Sequence, residues 1–195
     1  MADTNKVKFG IKSVYYAVAT IAADGTATYA TPVALPGAVN LSLSPEGEIS
    51  PFYADNVVYY RSADNSGYTG TLELAKIPDS FKTDILGYVK DSGNALVENA
   101  NAGIVPFALL FQMEGDAHAR RHVLYNCAAT RPDLNAATIT ATKEPITDSI
   151  PLTCATIYND DLNIDTPKAS VAQGDTPYSG WFSAVYQSSA TASTT

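Results

Sequence analysis

Basic residues are scarce in this chain. Twelve Lys and Arg stand against twenty Asp and Glu, a net charge of −8 with both histidines neutral. Holding nucleic acid through its phosphates takes clustered Lys and Arg, so this balance argues against that mode of binding. The deficit deepens after Arg131, where Asp133, Glu144, Asp148, Asp160, Asp161, Asp165 and Asp175 face only Lys143 and Lys168. Long apolar runs are missing too. No stretch reaches the roughly 18 residues of a transmembrane helix, and no membrane partner is expected. The start, MADTNKVKFG, carries Lys6 and Lys8 with no apolar stretch behind them, so no secretory signal is expected. The two cysteines, Cys127 and Cys154, sit in alternating apolar segments, VLYNCAATR and PLTCATIY. They could face each other across a sheet, but in a cytoplasmic chain they read as two free, packed thiols.

Catalytic signatures are absent as well. The chain has no G-x-S-x-G elbow, P-loop, glycine-rich dinucleotide fingerprint or C-x-x-C. Paired carboxylates leave no trace in a sequence, but nothing else speaks for an enzyme, and neither cofactor nor metal is expected. His118 and His122, in HARRH, have a spacing that binds metal on a helix. Here they follow Gly115 in a hairpin loop with no third ligand nearby, and they read as a solvated tip. In that reading Arg120 and Arg121 remain open to an acidic neighbouring subunit. Asn159 to Asp161, with Asp165, lack the calcium-loop spacing and read as a solvated acidic loop.

What the chain does contain is strand pattern. VYYAVATIAADGTATYATPVAL reads as two strands joined at Asp24-Gly25, a pair that tight hairpin turns prefer. GAVNLSLSPEG alternates Val39, Leu41 and Leu43 with Asn40, Ser42 and Ser44, and YTGTLELAKIP sets Leu72 and Leu74 against Thr71 and Glu73. IVPFALLFQME and RHVLYNCAATR flank GDAHAR as a long hairpin; AATITATK and SIPLTCATIYN supply further strands. Short alternating strands punctuated by Gly and Pro predict a mainly β fold, a sandwich or barrel. One flanking α-helix is expected at about residues 79–87, with Asp79 as N-cap after Pro78, Gly87 as the stop, and Phe81, Ile85 and Leu86 on its inner face. A short turn is expected in DTPYSGWFSAVY, with Pro177 at its first position. The 195 residues, 46% hydrophobic, make a single domain over about 1–187 with an N-terminal arm over about 1–12 and a low-complexity, disordered tail at 188–195.

One tract fits none of this. PFYADNVVYYRSADNSGYTG, residues 51–70, sets Phe52, Tyr53, Tyr59, Tyr60 and Tyr68 among Asp, Asn, Ser and Gly. A strand, NVVYY, accounts for about half of these rings. Tyrosine offers a large apolar face with a polar tip, which suits a surface buried on assembly. The tract therefore reads as an interaction element, a long loop or loop-hairpin.

At this point the chain resembles the major tail tube proteins of long, non-contractile-tailed bacteriophages (siphophages). The likeness is carried by KVKFGIKSVYYA, PVALPGAVNLSLSPEGE, PFYADNVVYY, GYTGTLELAKIPDSFKTDILG, PFALLFQMEGD and RHVLYNCAATRP, with a weaker piece in YSGWFSAVY. Together these cover most of Lys6 to Pro132; Asp133 to Lys168 matches nothing in the family. The resemblance implies a β-sandwich or barrel with a flanking helix, assembled as hexameric rings stacked into a helical tube that conducts DNA into the host. It implies assembly in the bacterial cytoplasm, a final place in the virion, and a tape-measure protein, tail-tip proteins and a tail terminator as partners. DNA would pass without specific binding along a net-acidic inner wall. Lys6, Lys8, Phe9, Phe52, Tyr53, Tyr59, Tyr60, Tyr68, Trp181 and Phe182 become the candidate inter-subunit contacts. Only QSSATASTT follows Tyr186, so a smooth tail without an added immunoglobulin-like domain is expected. Two other functions compete: the tube of a contractile tail or tail-like particle, and a monomeric β-sandwich module that binds carbohydrate or mediates adhesion.

Overall fold

A computed structural model describes residues 9–116, 118–136, 138 and 145–189. Lys6, Lys8 and nearly all of the strand expected in AATITATK lie outside the described residues, as does the tail from residue 190. The protein is mainly β with a single short helix among the described residues. The strands are β1 (Phe9–Ile21), β2 (Ala27–Tyr29), β3 (Val33–Ala34), β4 (Ala38–Glu46), β5 (Ile49–Ala54), β6 (Val57–Ala63) and β7 (Gly67–Leu74). After helix α1 (Asp79–Asp84) come β8 (Val89–Lys90), β9 (Leu96–Val97), β10 (Phe107–Glu114), β11 (Arg121–Ala129) and β12 (Asp148–Ala155). The chain closes with β13 (Ile157–Asn159), β14 (Ile164–Thr166) and β15 (Lys168–Val171).

One antiparallel sheet dominates, in the order β2-β1-β10-β11-β12-β7-β4, with β3 added on β1 and β15 on β11. Inward side chains of β1, β10, β11, β12 and β7 meet in one core cluster, and β4 lies against β1. A sheet in which β1, β10, β11, β12 and β7 share one core, and in which β4 comes round to touch β1, must curl around it. The expected sandwich or barrel thus takes the form of one wrapped sheet rather than two stacked ones.

The interior face of β10 carries Phe107, Leu109 and Phe111. Its opposite face carries Ala108 and Leu110, which belong to a second cluster with Ala17, Tyr125 and Trp181. The side-chain alternation survives along neighbouring strands only because they bulge. Phe107 pairs with Cys127 and Leu109 with Leu124, so Tyr125 and Asn126 together oppose Ala108. That extra residue brings Leu124 and Cys127 onto the same inner face. On β1, Lys12 pairs with Gln112 and Tyr15 with Leu110; Ser13, at φ +54°, supplies the extra residue. A third irregularity, at Val39, leaves that residue exposed, while Leu41 and Leu43 pack on the core as expected.

Helix α1 closes the wrapped sheet with Phe81, while Ile85 and Leu86 just beyond it join the same core. It is shorter than residues 79–87, and Asp79 is its first residue rather than its cap. Pro78 holds the cap position in extended backbone, and no side chain caps the helix. Proline can precede a helix without loss because the first N–H groups have no helical partner anyway. Gly87, at φ +71°, ends the turn as expected. Ring edges lock the helix in place: Phe81 meets Tyr16 at 5.1 Å and Phe107 at 5.6 Å, both edge-on, and the Tyr16 hydroxyl donates to Asp84 at 2.8 Å.

The segment after β15 covers the outer face. A 3-10 turn spans Thr176–Tyr178 with Pro177 near its start, as the sequence predicts. Trp181 follows, 1% exposed, and its Nε1 donates to the His122 carbonyl at 3.2 Å. This corrects the assignment of Trp181 to an inter-subunit contact, because the side chain is already consumed within its own chain. Phe182 stacks on Tyr15 at 4.9 Å and is half-buried. Arg121, left open to a neighbouring subunit by the sequence, lies 3.8 Å over the Tyr178 ring and 4.6 Å over Phe182. It also donates to the Tyr178 carbonyl at 2.5 Å, so it clamps this segment from within.

Two outcomes follow. Trp181 is the only tryptophan, so the unassembled protein shows blue-shifted emission that moves red only on unfolding; red emission from the folded monomer would contradict the burial. The second concerns alkali. Burial, more than the Asp84 carboxylate beside it, pushes the Tyr16 phenol up to about 12, and burial does the same to Tyr125. Folded values above the ordinary tyrosine value near 10 mean stability that is complete below about pH 10 and lost as pH rises towards 12. Phenolate absorbance should therefore rise in two stages, the later one together with loss of circular dichroism. Ordinary titration of all twelve tyrosines in an intact fold would refute it.

Candidate functional site

The tract over residues 51–70 is not a loop. It comprises β5, β6 and the start of β7, and it extends the β4–β7 ribbon past the edge of the sheet. Glu46 pairs with Gly67. The Ser66 N–H then donates to the Glu46 carbonyl at 2.9 Å and the Asp64 N–H to the Glu48 carbonyl at 3.1 Å. The β5–β6 ladder follows from Ile49 opposite Ala63 to Ala54 opposite Val57. Asp55 and Asn56, at φ +53° and +63°, form the two-residue turn at the tip. Both tolerate left-handed backbone, and two such residues match the twist of a hairpin. Gly47 permits the joint with β4, since a Cβ there would sit 1.9 Å from the Asp64 carbonyl oxygen. At about 3.3 Å per residue, the projection from Gly47 to the tip is roughly 25 Å.

Among the described residues nothing covers this hairpin. From Gly47 to Ser66 the described side chains are exposed, except half-buried Ala54. Phe52, Tyr53, Tyr59 and Tyr60 are between 60% and 75% exposed, and Ile49, Val57 and Val58 are exposed beside them. Phe52 faces Tyr60 across the ladder and Tyr53 faces Val58. Neighbouring pairs point to opposite sides, so both faces are apolar. A shift in register between Phe52 and Tyr53 leaves Tyr59 as an extra residue. At about 200 Å² per large ring, the four rings leave on the order of 500 Å² open, comparable with the largest patch on an ordinary monomer. Tyr68 differs from these four. It lies in β7, half-buried against the core, with Lys168 Nζ 4.7 Å over its ring. Phe9 begins β1.

A second surface has the opposite character. On the outer side of β4, β7 and β12 the register aligns three rungs: Thr153–Thr69–Ser44, Pro151–Thr71–Ser42 and Ser149–Glu73–Asn40. Six of these nine side chains are hydroxyls, one is an acid and none is basic. Glu73 accepts a hydrogen bond from Thr147. Sequence reading identified the alternation but not the alignment, which requires knowing that β12 pairs with β7.

The remaining sequence candidates resolve locally. His122 stacks on Phe111 at 5.1 Å, and the His118 backbone holds the loop by donating to Asp116 and accepting from Gln173. The His118 N–H, ahead of the Arg120 N–H and both residues' charges, holds the Asp116 carboxyl below its usual range. Among the described residues no three His, Cys, Asp or Glu gather as a metal site. Asn159 accepts the Leu162 N–H and donates to the Ser188 carbonyl, tying the acidic loop to the C-terminal segment. Among the described residues, no helix is long and apolar enough to cross a membrane.

The chain matches no protein-family model, and no curated protein matches it.

Replacing Phe52, Tyr53, Tyr59 or Tyr60 singly with Ser should change the unfolding free energy of the monomer by less than about 1 kcal/mol, because only cross-strand contacts are lost. Chemical denaturation measures it. A loss of several kcal/mol would mean that the hairpin folds back on its own body.

Proposed function

We propose that this chain is a structural subunit that assembles with copies of itself into a tube, as the resemblance to siphophage tail tube proteins implies. The β5–β6 hairpin carries this reading. An isolated two-stranded ribbon is marginal in water, and apolar side chains on both of its faces have no role in an isolated chain. Seated between neighbouring subunits, the same ribbon becomes a continuation of their sheets. In this reading Phe52, Tyr53, Tyr59 and Tyr60 are the anchors, and the partners are further copies, stacked as hexameric rings in a virion tail. Phe9, with Lys6 and Lys8, would join ring to ring. Half-buried Tyr68 and Phe182 would contribute at most an edge.

The hydroxyl-lined face of β4, β7 and β12 is the wall that we assign to the lumen. It carries one acid and no base, and the chain as a whole has a net charge of −8. Gripping DNA requires cations that release its counterions, and this surface offers none. A genome would slide along it. No enzyme activity, cofactor or metal enters this function.

Negative-stain microscopy of concentrated protein, beside its light-scattering mass, tests the proposal. Hollow cross-striated tubes or six-fold rings are expected, and paired Phe52→Ser and Tyr60→Ser changes should abolish them while the monomer stays folded. Arg61, exposed in the hairpin, should be cut by trypsin in the monomer and protected in the assembly. A monomer that persists even with tail-tip and tape-measure proteins supplied would overturn the tube. If that monomer bound glycans through the same rings, a carbohydrate-binding module would replace it.

A further inference from the structure

The two cysteines of this chain are direct cross-strand partners: Cys127 on β11 pairs with Cys154 on β12, and their sulfurs are in contact at 2.6 Å. Both are free thiols, fully buried in the core that the sheet wraps. The bulge at Tyr125 and Asn126 turns Cys127 inward to meet Cys154, which alternation along β12 already points inward. Facing residues on antiparallel strands have Cα atoms about 4.5–5.5 Å apart, within the range that a disulfide bridges. No other cysteine exists in the sequence to compete.

We propose that Cys127 and Cys154 form a disulfide when the protein meets an oxidant, so that a chain folded as a dithiol is stapled between β11 and β12. This inference stands independently of the proposed function. Hydrogen peroxide, small enough to enter on brief opening of the core, serves as the oxidant class. One sulfur, as thiolate, attacks a peroxide oxygen; the O–O bond breaks, hydroxide leaves with the proton as water, and a sulfenic acid forms. The second sulfur then attacks the first, the S–O bond breaks and water departs. Two thiols and one peroxide give one disulfide and two waters. Burial pushes the Cys127 thiol well above its ordinary value, so closure is slow while the fold is shut and accelerates when it opens. A reducing cytoplasm keeps the pair open; an oxidising exterior does not.

The staple closes a span of 27 residues. By restricting the unfolded chain it should raise Tm by roughly 5–15 °C. The test uses the full chain, reduced or treated with hydrogen peroxide, then denatured and alkylated. Intact mass is expected to fall by about two units, for the two thiol hydrogens lost, with no alkyl group added. Tm is expected to rise, and the reductant dithiothreitol should reverse both changes. Two alkylated sulfurs after treatment, oxygen adducts on single cysteines, or disulfide-linked dimers on a non-reducing gel would each overturn the proposal. Cys154→Ala should remove the peroxide-dependent rise in Tm. If that variant does not fold, the wild-type mass measurement decides alone.

Discussion

The protein is organised around a strand that is buried on both sides. From Phe107 to Gln112 every residue of β10 is buried, so each face of that strand needs its own cover. On one side the sheet wraps until β4 meets β1, and Phe81, Ile85 and Leu86 close the remaining opening. On the other side Ala17, Ala27 and Ala108 leave a shallow floor on which Trp181 can lie flat. Burying an indole of about 200 Å² contributes on the order of 5 kcal/mol before entropy is charged. That is enough to hold down a segment with little secondary structure of its own. Arg121 completes the attachment through two rings and a carbonyl. The bulges of β1 and β11 belong to the same constraint, since without them half of each strand would turn its apolar residues to the wrong face.

Because both faces of the central strand are covered from within the chain, the body does not need the hairpin. This separates two kinds of aromatic residue. Tyr16, Phe81 and Phe107 satisfy one another in the wrapped core, and Trp181 stacks on Tyr186 on the other face. Phe52, Tyr53, Tyr59 and Tyr60 are exposed and, among the described residues, belong to neither core cluster. A surplus of this kind costs solubility and is retained where another surface will cover it. The same body also holds the hairpin out, for its two strands continue β4 and β7, and β7 is anchored along its whole length to β12. The projection is therefore stiff at its root and apolar along its length, as the proposed assembly requires.

Much of the body could be read from the sequence. Alternation located β4, β7, β10, β11 and β12; Gly87 marked the end of the helical turn, and Pro177 the start of the 3-10 turn. Most of the failures share one physical cause, a neighbour distant in sequence; the helix start is a local exception. Trp181 resembles an interface residue until β10 and β11 are known to offer it a floor. Arg121 looks free until Tyr178, 57 residues away, is folded beneath it. Asp79 follows a helix-start proline and has a capping side chain, yet the helix begins one residue earlier in register and leaves it uncapped. The tract over 51–70 looked like a loop because its turn residues, Asp55 and Asn56, sit beside more Asp, Asn and Ser at 62–66. Only pairing shows that the first group turns the chain and the second merely joins two ladders.

The two exposed surfaces divide adhesion from its absence by side-chain size and charge. On the hairpin, wide rings with few polar atoms lose little by leaving water, and its three acids, Glu48, Asp55 and Asp64, against the single Arg61 leave a modest repulsion that contact area can exceed. On the rungs of β4, β7 and β12, small hydroxyls keep their hydration, and only Pro151 and the threonine methyls offer apolar area, far less than the rings of the hairpin. The only charge there has the same sign as a phosphate. A polyanion pressed against this face would gain neither dispersion nor counterion release, and would lose water that both sides already hold. Within one chain, then, the apolar ribbon offers area for contact while the hydroxyl face disfavours attachment of a nucleic acid. In the proposed tube the first property builds the wall and the second keeps its passage open.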